Sequence, residues 1–87
     1  MGRSKRLRPK HLGKKLKQIR ELLELSQVGM AEALDFSTVH PTNISGYERG
    51  LREPPYPVLL KYARLVNIST DILIDDELDT PRRKRSR

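Results

Sequence analysis

From Leu12 onward the apolar positions fall at Leu12, Leu16, Ile19, Leu22 and Leu23. Those steps trace one stripe of a helix, and Lys14, Lys15, Lys17 and Gln18 occupy its other faces. Pro9 suits the first turn of this helix, where a missing N–H costs nothing. Ser26 is a good N-cap for a second helix whose apolar side is Met30, Ala31 and Leu34. Gly29, early in that helix, weakens it by up to about 1 kcal/mol relative to Ala. Asp35 to His40 reads as a connector. Pro41 fits the first position of a third helix that runs through Ile44 and Tyr47 to Arg49, and Gly50 is a natural stop with positive φ. Pro54 and Pro55 force the next stretch into a loop.

A fourth helix is predicted from near Pro57, burying Leu59, Leu60, Ala63 and Val66, with Asn67 as its left-handed stop. Ser69 caps a short fifth helix, Asp71 sits in its first turn, and Ile72 and Leu73 close the core. Tyr56 and Tyr62 are expected to pack on the fourth helix. No window reads as a strand and no repeat is visible. The expected fold is all-α: five short, locally connected helices.

Charge divides the chain into three. Residues 1–20 hold nine basic side chains and no acid, and the stretch 80–87 holds five basic and no acid. Residues 12–74 carry eight basic and seven acidic side chains, so most of the net +7 lies outside them. The expected organisation is a basic arm over 1–11, a nearly neutral body over 12–74, and an acidic then basic tail over 75–87. Such cationic blocks often touch nucleic acid, with a solubility tail as the alternative. Asp75, Asp76, Glu77 and Asp79 read as a solvated helix end and lack the spacing of a calcium loop.

Eighty-seven residues make at most one domain, which excludes a two-lobed enzyme, a barrel or a doubly wound sheet. No Ser/His/Asp set, glycine-rich phosphate loop or paired acids can be assembled, so no enzyme is expected. His11 and His40 are the two histidines and there is no Cys. Metal and cofactor binding are therefore not expected. No apolar run reaches the roughly 20 residues of a membrane span, and the N-terminus has no apolar signal core. The zero cysteine count fits a reducing compartment, so a cytoplasmic place is expected.

The second and third helices, short and joined by a turn behind a basic first helix, have the layout of a helix-turn-helix. One helix braces across the DNA backbone while the next enters the major groove. The residues sharpen this. Leu25-Ser26-Gln27, Ala31, Leu34, Ile44-Ser45-Gly46-Tyr47-Glu48-Arg49-Gly50, Glu53-Pro54, Leu59-Leu60-Lys61-Tyr62-Ala63 and Ile68-Ser69 closely resemble the lambda-type phage repressor and Cro family, also called XRE-like. The likeness covers about residues 12–74.

What the resemblance implies can be placed residue by residue. Gln27 matches a phosphate-anchoring Gln that also reaches a neighbouring recognition side chain. Pro41, Thr42 and Asn43 match the base-reading start of the recognition helix. Ser45 and Gly46 lie one turn on, and Gly46 stands where relatives often hold a reader. Arg49 and Arg52 match phosphate contacts, and His40 is an N-cap or a phosphate contact. Ile44, Tyr47 and Glu48 match core and scaffold. The same residues also admit blander roles: Thr42 and Asn43 as helix starters, Arg49 as a solvated charge.

Two departures stand out. Nine residues separate Leu34 from Ile44, about three more than is usual in the family, so Phe36, Val39 and His40 are expected to form an extra turn or to pack over the connector. Long readers such as Gln or Arg are also missing from the third helix. That leaves Asn43 to pair with adenine, Thr42 to meet a thymine methyl, and DNA shape to supply further specificity.

The implied function is sequence-specific binding of double-stranded DNA by a small, nucleoid-associated transcriptional regulator. It would act as a homodimer on DNA, with Leu73, Ile74 and Leu78 as the expected seam. The alternatives are an antitoxin that also binds a toxin, and a protein-interaction module or coactivator that keeps the fold.

Overall fold

In the computed structural model of the chain the described residues are 10–78 and Thr80. Pro9, most of the basic arms and Asp79 lie outside them. The described residues form five helices: α1 (Leu12–Leu22), α2 (Gln27–Leu34), α3 (Pro41–Glu48), α4 (Tyr56–Leu65) and α5 (Thr70–Ile74). The expected starts and stops hold to within a residue or two, except that α1 begins at Leu12 with His11 as its N-cap, later than a first turn at Pro9 requires. Arg49, expected inside α3, is its C-cap.

Local chemistry sets these boundaries. The Gly29 N–H donates to Ser26 Oγ at 3.0 Å, and the Asp71 N–H donates to Ser69 Oγ at 3.2 Å. Each hydroxyl satisfies one of the donors a helix leaves unpaired at its start. Four helices end on a left-handed residue: Glu24 after α1, Asp35 after α2, Gly50 after α3 and Asn67 after α4. Behind Glu24, Gly50 and Asn67 the chain folds back to donate to the last turn, as Leu25 N–H does to Arg20 O and Leu51 N–H to Gly46 O. Glu24 was not foreseen there, because Glu carries no special preference for positive φ.

One core joins all five helices. Leu16, Ile19, Met30, Leu34, Ile44, Tyr62 and Leu73 are fully buried. Burying a Leu or Ile side chain of this kind contributes roughly 1.5–3 kcal/mol relative to leaving it exposed. α3 packs against both α1 and α2, and α5 closes on α4 and α1. At Gly13 α1 comes close to the backbone at the end of α3. A Cβ there would lie 2.7 Å from Glu48 O and 2.8 Å from Tyr47 O.

Several expectations need correcting. Leu60 is 41% exposed, because α4 turns Val58, Leu59, Tyr62 and Ala63 inward and Leu60 falls about 100° off that face. Val66 and Ile72 are half-buried. Tyr56, at the exposed start of α4, is 80% accessible and does not pack on the helix. Leu73 belongs wholly to the core, which removes it from any seam, whereas Ile74 and Leu78 remain exposed.

Lys15 also departs from the reading of α1. It is buried at 4% exposure, and its Nζ donates to Ile72 O and Asp75 O, both at 2.7 Å. The aliphatic stem lies along the core while the ammonium satisfies the carbonyls that end α5. In return, Asp76 accepts the backbone N–H groups of Lys10 and His11 at the start of α1, at 2.9 and 3.1 Å. These two bonds, Lys10's first, hold the Asp76 carboxyl below the usual carboxylate range. Thr80 Oγ1 donates to Gln18 Oε1. The segment after α5 is thus tied along α1 by three polar links, and the acidic run is part of the fold at Asp75 and Asp76.

Candidate nucleic-acid interface

The third helix presents three distinct sides. At about 100° per residue, Thr42, Ser45 and Arg49 share one face, and Ile44, Tyr47 and Glu48 face the opposite way. The burial agrees. Thr42 and Arg49 are exposed and Ser45 is partly so, while Ile44 and Tyr47 are buried. An outward stripe of short polar side chains ending in a cation is the surface α3 offers.

One flank of this stripe is held by a polar network. Arg20 Nε donates to Glu48 Oε2 at 2.7 Å, and Arg20 Nη2 donates to Glu48 Oε1 at 3.0 Å. The remaining guanidinium nitrogen, Nη1, donates to Leu25 O at 3.0 Å. Gln27 Nε2 completes the set by donating to Glu48 Oε1 at 3.3 Å. The side chains are only 15% (Arg20) and 5% (Glu48) accessible, so this two-pronged pair is shielded from water. The bond to Glu48 raises the Arg20 pKa above its ordinary value, against the opposing effect of burial. The network fixes α3 to the end of α1 and to the first residue of α2.

Gln27 therefore stands at the α2 N-terminus with its amide turned to the end of α3. Arg20, counted by sequence with the basic block, is a buttress of the helix. The available signal was its place at the edge of the apolar stripe of α1, beside Ile19.

The other flank carries Asn43 and Gly46. Gly46 is buried beneath the stem of Arg52, whose Cδ would lie 3.0 Å from an added Cβ. Its carbonyl accepts the N–H groups of Leu51 and Arg52 at 2.9 and 3.2 Å, which shapes the loop that carries Arg52. Asn43 Oδ1 accepts the His40 N–H at 2.8 Å. His40 is the exposed N-cap of α3, and Pro41 is its first residue. The carboxamide of Asn43 thus has one end committed to the helix start.

The connector is built, not loose. Asp35 ends α2 with φ 61°, Val39 N–H donates to Phe36 O at 3.0 Å, and Val39 is buried. Phe36 packs part-buried against the same core. Both apolar residues of the long connector are anchored, as expected, and Ser37 and Thr38 stand exposed between them.

Tyr47 on the inner face of α3 and Tyr62 on α4 are both buried. Burial pushes both phenols up, with Arg52 opposing this at Tyr47. The Tyr62 hydroxyl is buried and has no hydrogen-bond partner among the described residues. No group of three or more His, Cys, Asp or Glu side chains among the described residues is placed to hold a metal. Nor is any described helix long and apolar enough to cross a membrane.

Comparisons with known proteins meet this geometry. The sequence profile of the family described as Helix-turn-helix, HTH_3, matches residues 16–73. Among curated proteins, the HTH-type transcriptional regulator ImmR of Bacillus subtilis (strain 168) is 41% identical over 63 residues. That alignment covers 72% of this chain and 47% of ImmR, so the chain spans about half the length of that relative. Among solved structures, the P22 c2 repressor protein in complex with synthetic operator 9T superposes with a TM-score of 0.64 at 25% identity. The superposition covers 75% of this chain and 94% of the repressor chain.

Proposed function

Because this chain belongs to the helix-turn-helix family of XRE and phage-repressor type, we propose that it binds double-stranded DNA as a small transcriptional regulator, with α3 in the major groove. One observation carries this reading: the stripe Thr42, Ser45 and Arg49 faces outward on a helix whose inner face is buried through Ile44 and Tyr47 and one of whose flanks is locked by the Arg20–Glu48–Gln27 network. A helix of eight residues is too short to hold an orientation by itself. The pair supplies that orientation before DNA arrives.

Roles follow from position. Thr42 and Ser45 meet base edges, Thr42 with its methyl group against thymine. Arg49, Arg52 and Gln27 take phosphate oxygens, with His40 and Pro41 beside them at the entry of the helix. Asn43 has an oxygen engaged as a cap, so its amide nitrogen is the end left for DNA. Gly46 gives no reader and admits Arg52 close to the helix. The net charge of +7 adds long-range attraction to the polyanion.

The protein acts by binding, without a catalytic step. With so small a reading surface, two copies on half-sites about 34–36 Å apart supply the specificity. Ile74 and Leu78, exposed beside α5, are the apolar residues open to a seam. The working place is the nucleoid of the cytoplasm.

Titration of a duplex selected from random sequence, and of a scrambled one, at several salt concentrations tests this. Thr42→Ala is expected to lose roughly 1–3 kcal/mol on the selected site and little on the scrambled one. Arg49→Ala should weaken both alike and flatten the log–log salt slope by about one unit. Equal affinity of the native chain for both duplexes would overturn sequence-specific reading.

A further inference from the structure

The groove on the Asn43 flank of α3 is lined by residues that recognition-helix chemistry alone does not use. It has a volume of about 380 Å³. Thr38, Asn43, Arg52 and Glu53 are its hydrophilic lining residues, so the groove carries one cation and one carboxylate, and Phe36, Val39 and Val58 are among its apolar walls. Thr38 comes from the connector, Asn43 from α3 and Arg52 from the following loop, so three separate segments converge there. The floor is fixed, because Val39 and Val58 are buried at 8% and 3% exposure. Thr38 itself is exposed at the tip of an anchored turn.

Its placement decides what it can meet. If the Thr42, Ser45 and Arg49 stripe points to the floor of the major groove, each flank of α3 faces one wall, and those walls are sugar-phosphate strands. One wall meets Gln27 and the start of α2. The other meets this groove. We infer that the groove seats one phosphodiester of duplex DNA, with the Thr38 hydroxyl and the Arg52 guanidinium as donors to the phosphate and the apolar wall against the deoxyribose. Asn43 also lines the groove, and its amide nitrogen is the end of the carboxamide that the His40 bond leaves over. Thr38 is thereby a positioning contact supplied by the lengthened connector, and it offsets part of what short side chains on α3 forgo. This rests on the DNA-binding reading above.

The test uses the full chain with Thr38→Val, Thr38→Ser and Arg52→Gln on the selected and scrambled duplexes. Thr38→Val keeps shape and removes the donor, and its exposed position leaves the thermal melt unchanged. A hydroxyl donating to an anion nets about 1.5–3 kcal/mol, so affinity should fall roughly ten- to a hundredfold on both duplexes, with an unaltered salt slope because no charge is removed. Thr38→Ser should restore it. Arg52→Gln should lose affinity and flatten the slope by about 0.9. Native binding with no effect of Thr38→Val overturns the seat alone. A loss confined to the selected duplex also overturns it, since that marks a base contact. Failure of the native chain to bind either duplex removes the DNA-binding reading and the seat with it.

Discussion

The two flanks of α3 are built by opposite means. On one, Arg20, Glu48 and Gln27 close a shielded, two-pronged polar network between three helices. On the other, a long connector held by Phe36 and Val39 leaves an open groove beneath Arg52. The closed flank sets where the helix lies. The open flank sets what lies beside it. A reading head of this kind keeps its orientation in buried chemistry and its adaptability in a loop, so the two can change independently.

The sharpest way to break that contrast is to open the closed flank. Glu48→Ala leaves the Arg20 guanidinium shielded and unpaired, which should cost about 3–5 kcal/mol in urea melts. A domain of this size has little more than that to lose. A loss below 1 kcal/mol would show the pair to be an exposed decoration. Replacing both partners together, Arg20→Met with Glu48→Leu, should recover most of the stability, since matched apolar groups remove the desolvation problem.

Gly13→Ala probes the same junction from α1. Its methyl group would press on the Tyr47 and Glu48 carbonyls, backbone atoms that cannot swing away. Overpacking of this kind should cost about 1–3 kcal/mol. A melt equal to that of the native chain would mean that the α1–α3 approach is looser than described.

Acid titration separates the flanks from the distant tie along α1. The lowered pKa of Asp76 means its contribution is fully present above the ordinary Asp value of 3.8 and is lost as pH falls through the lower folded-state value. Asp76→Asn should remove that acid-side component while leaving DNA discrimination near neutral pH intact. An unchanged acid profile would show that the bonds from Lys10 and His11 do not persist.

The smallest effect is expected at Tyr62. Its hydroxyl is buried without a partner, so Tyr62→Phe should be neutral or stabilise slightly, by up to about 1 kcal/mol. A loss above 2 kcal/mol would place the hydroxyl in the Arg20–Glu48 network.

Local rules made much of this legible. Ser26, Ser69, Gly50 and Asn67 announced helix ends because capping and left-handed stops are decided within a few residues. The i, i+3, i+4 stripe of α1 and the Tyr-Glu-Arg-Gly block located the helix-turn-helix. What sequence could not place were charges whose partners lie far along the chain. Lys15 looked solvated, yet it closes the end of α5 57 residues away. Arg20 counted only as one of the nine basic side chains of residues 1–20, yet it pairs with Glu48. The Leu60 assignment failed because the buried arc of α4 runs through Val58, Leu59, Tyr62 and Ala63, and the next step of about 100° past Leu59 carries Leu60 out of it. In the connector, the extra length was visible, but the anchoring by Phe36 and Val39 depends on the tertiary core.

The central claim is that α3 reads DNA with its Thr42, Ser45 and Arg49 face while both flanks meet the backbone. Amide chemical-shift mapping of the uniformly 15N-labelled chain during titration with the selected duplex tests it directly. The largest shifts are expected at Gln27, Thr38, Thr42, Ser45, Arg49 and Arg52, with Lys61, Ile74 and Leu78 little changed in a single half-site complex. Shifts centred on α4 and α5, with Thr42 to Arg49 unmoved, would contradict it.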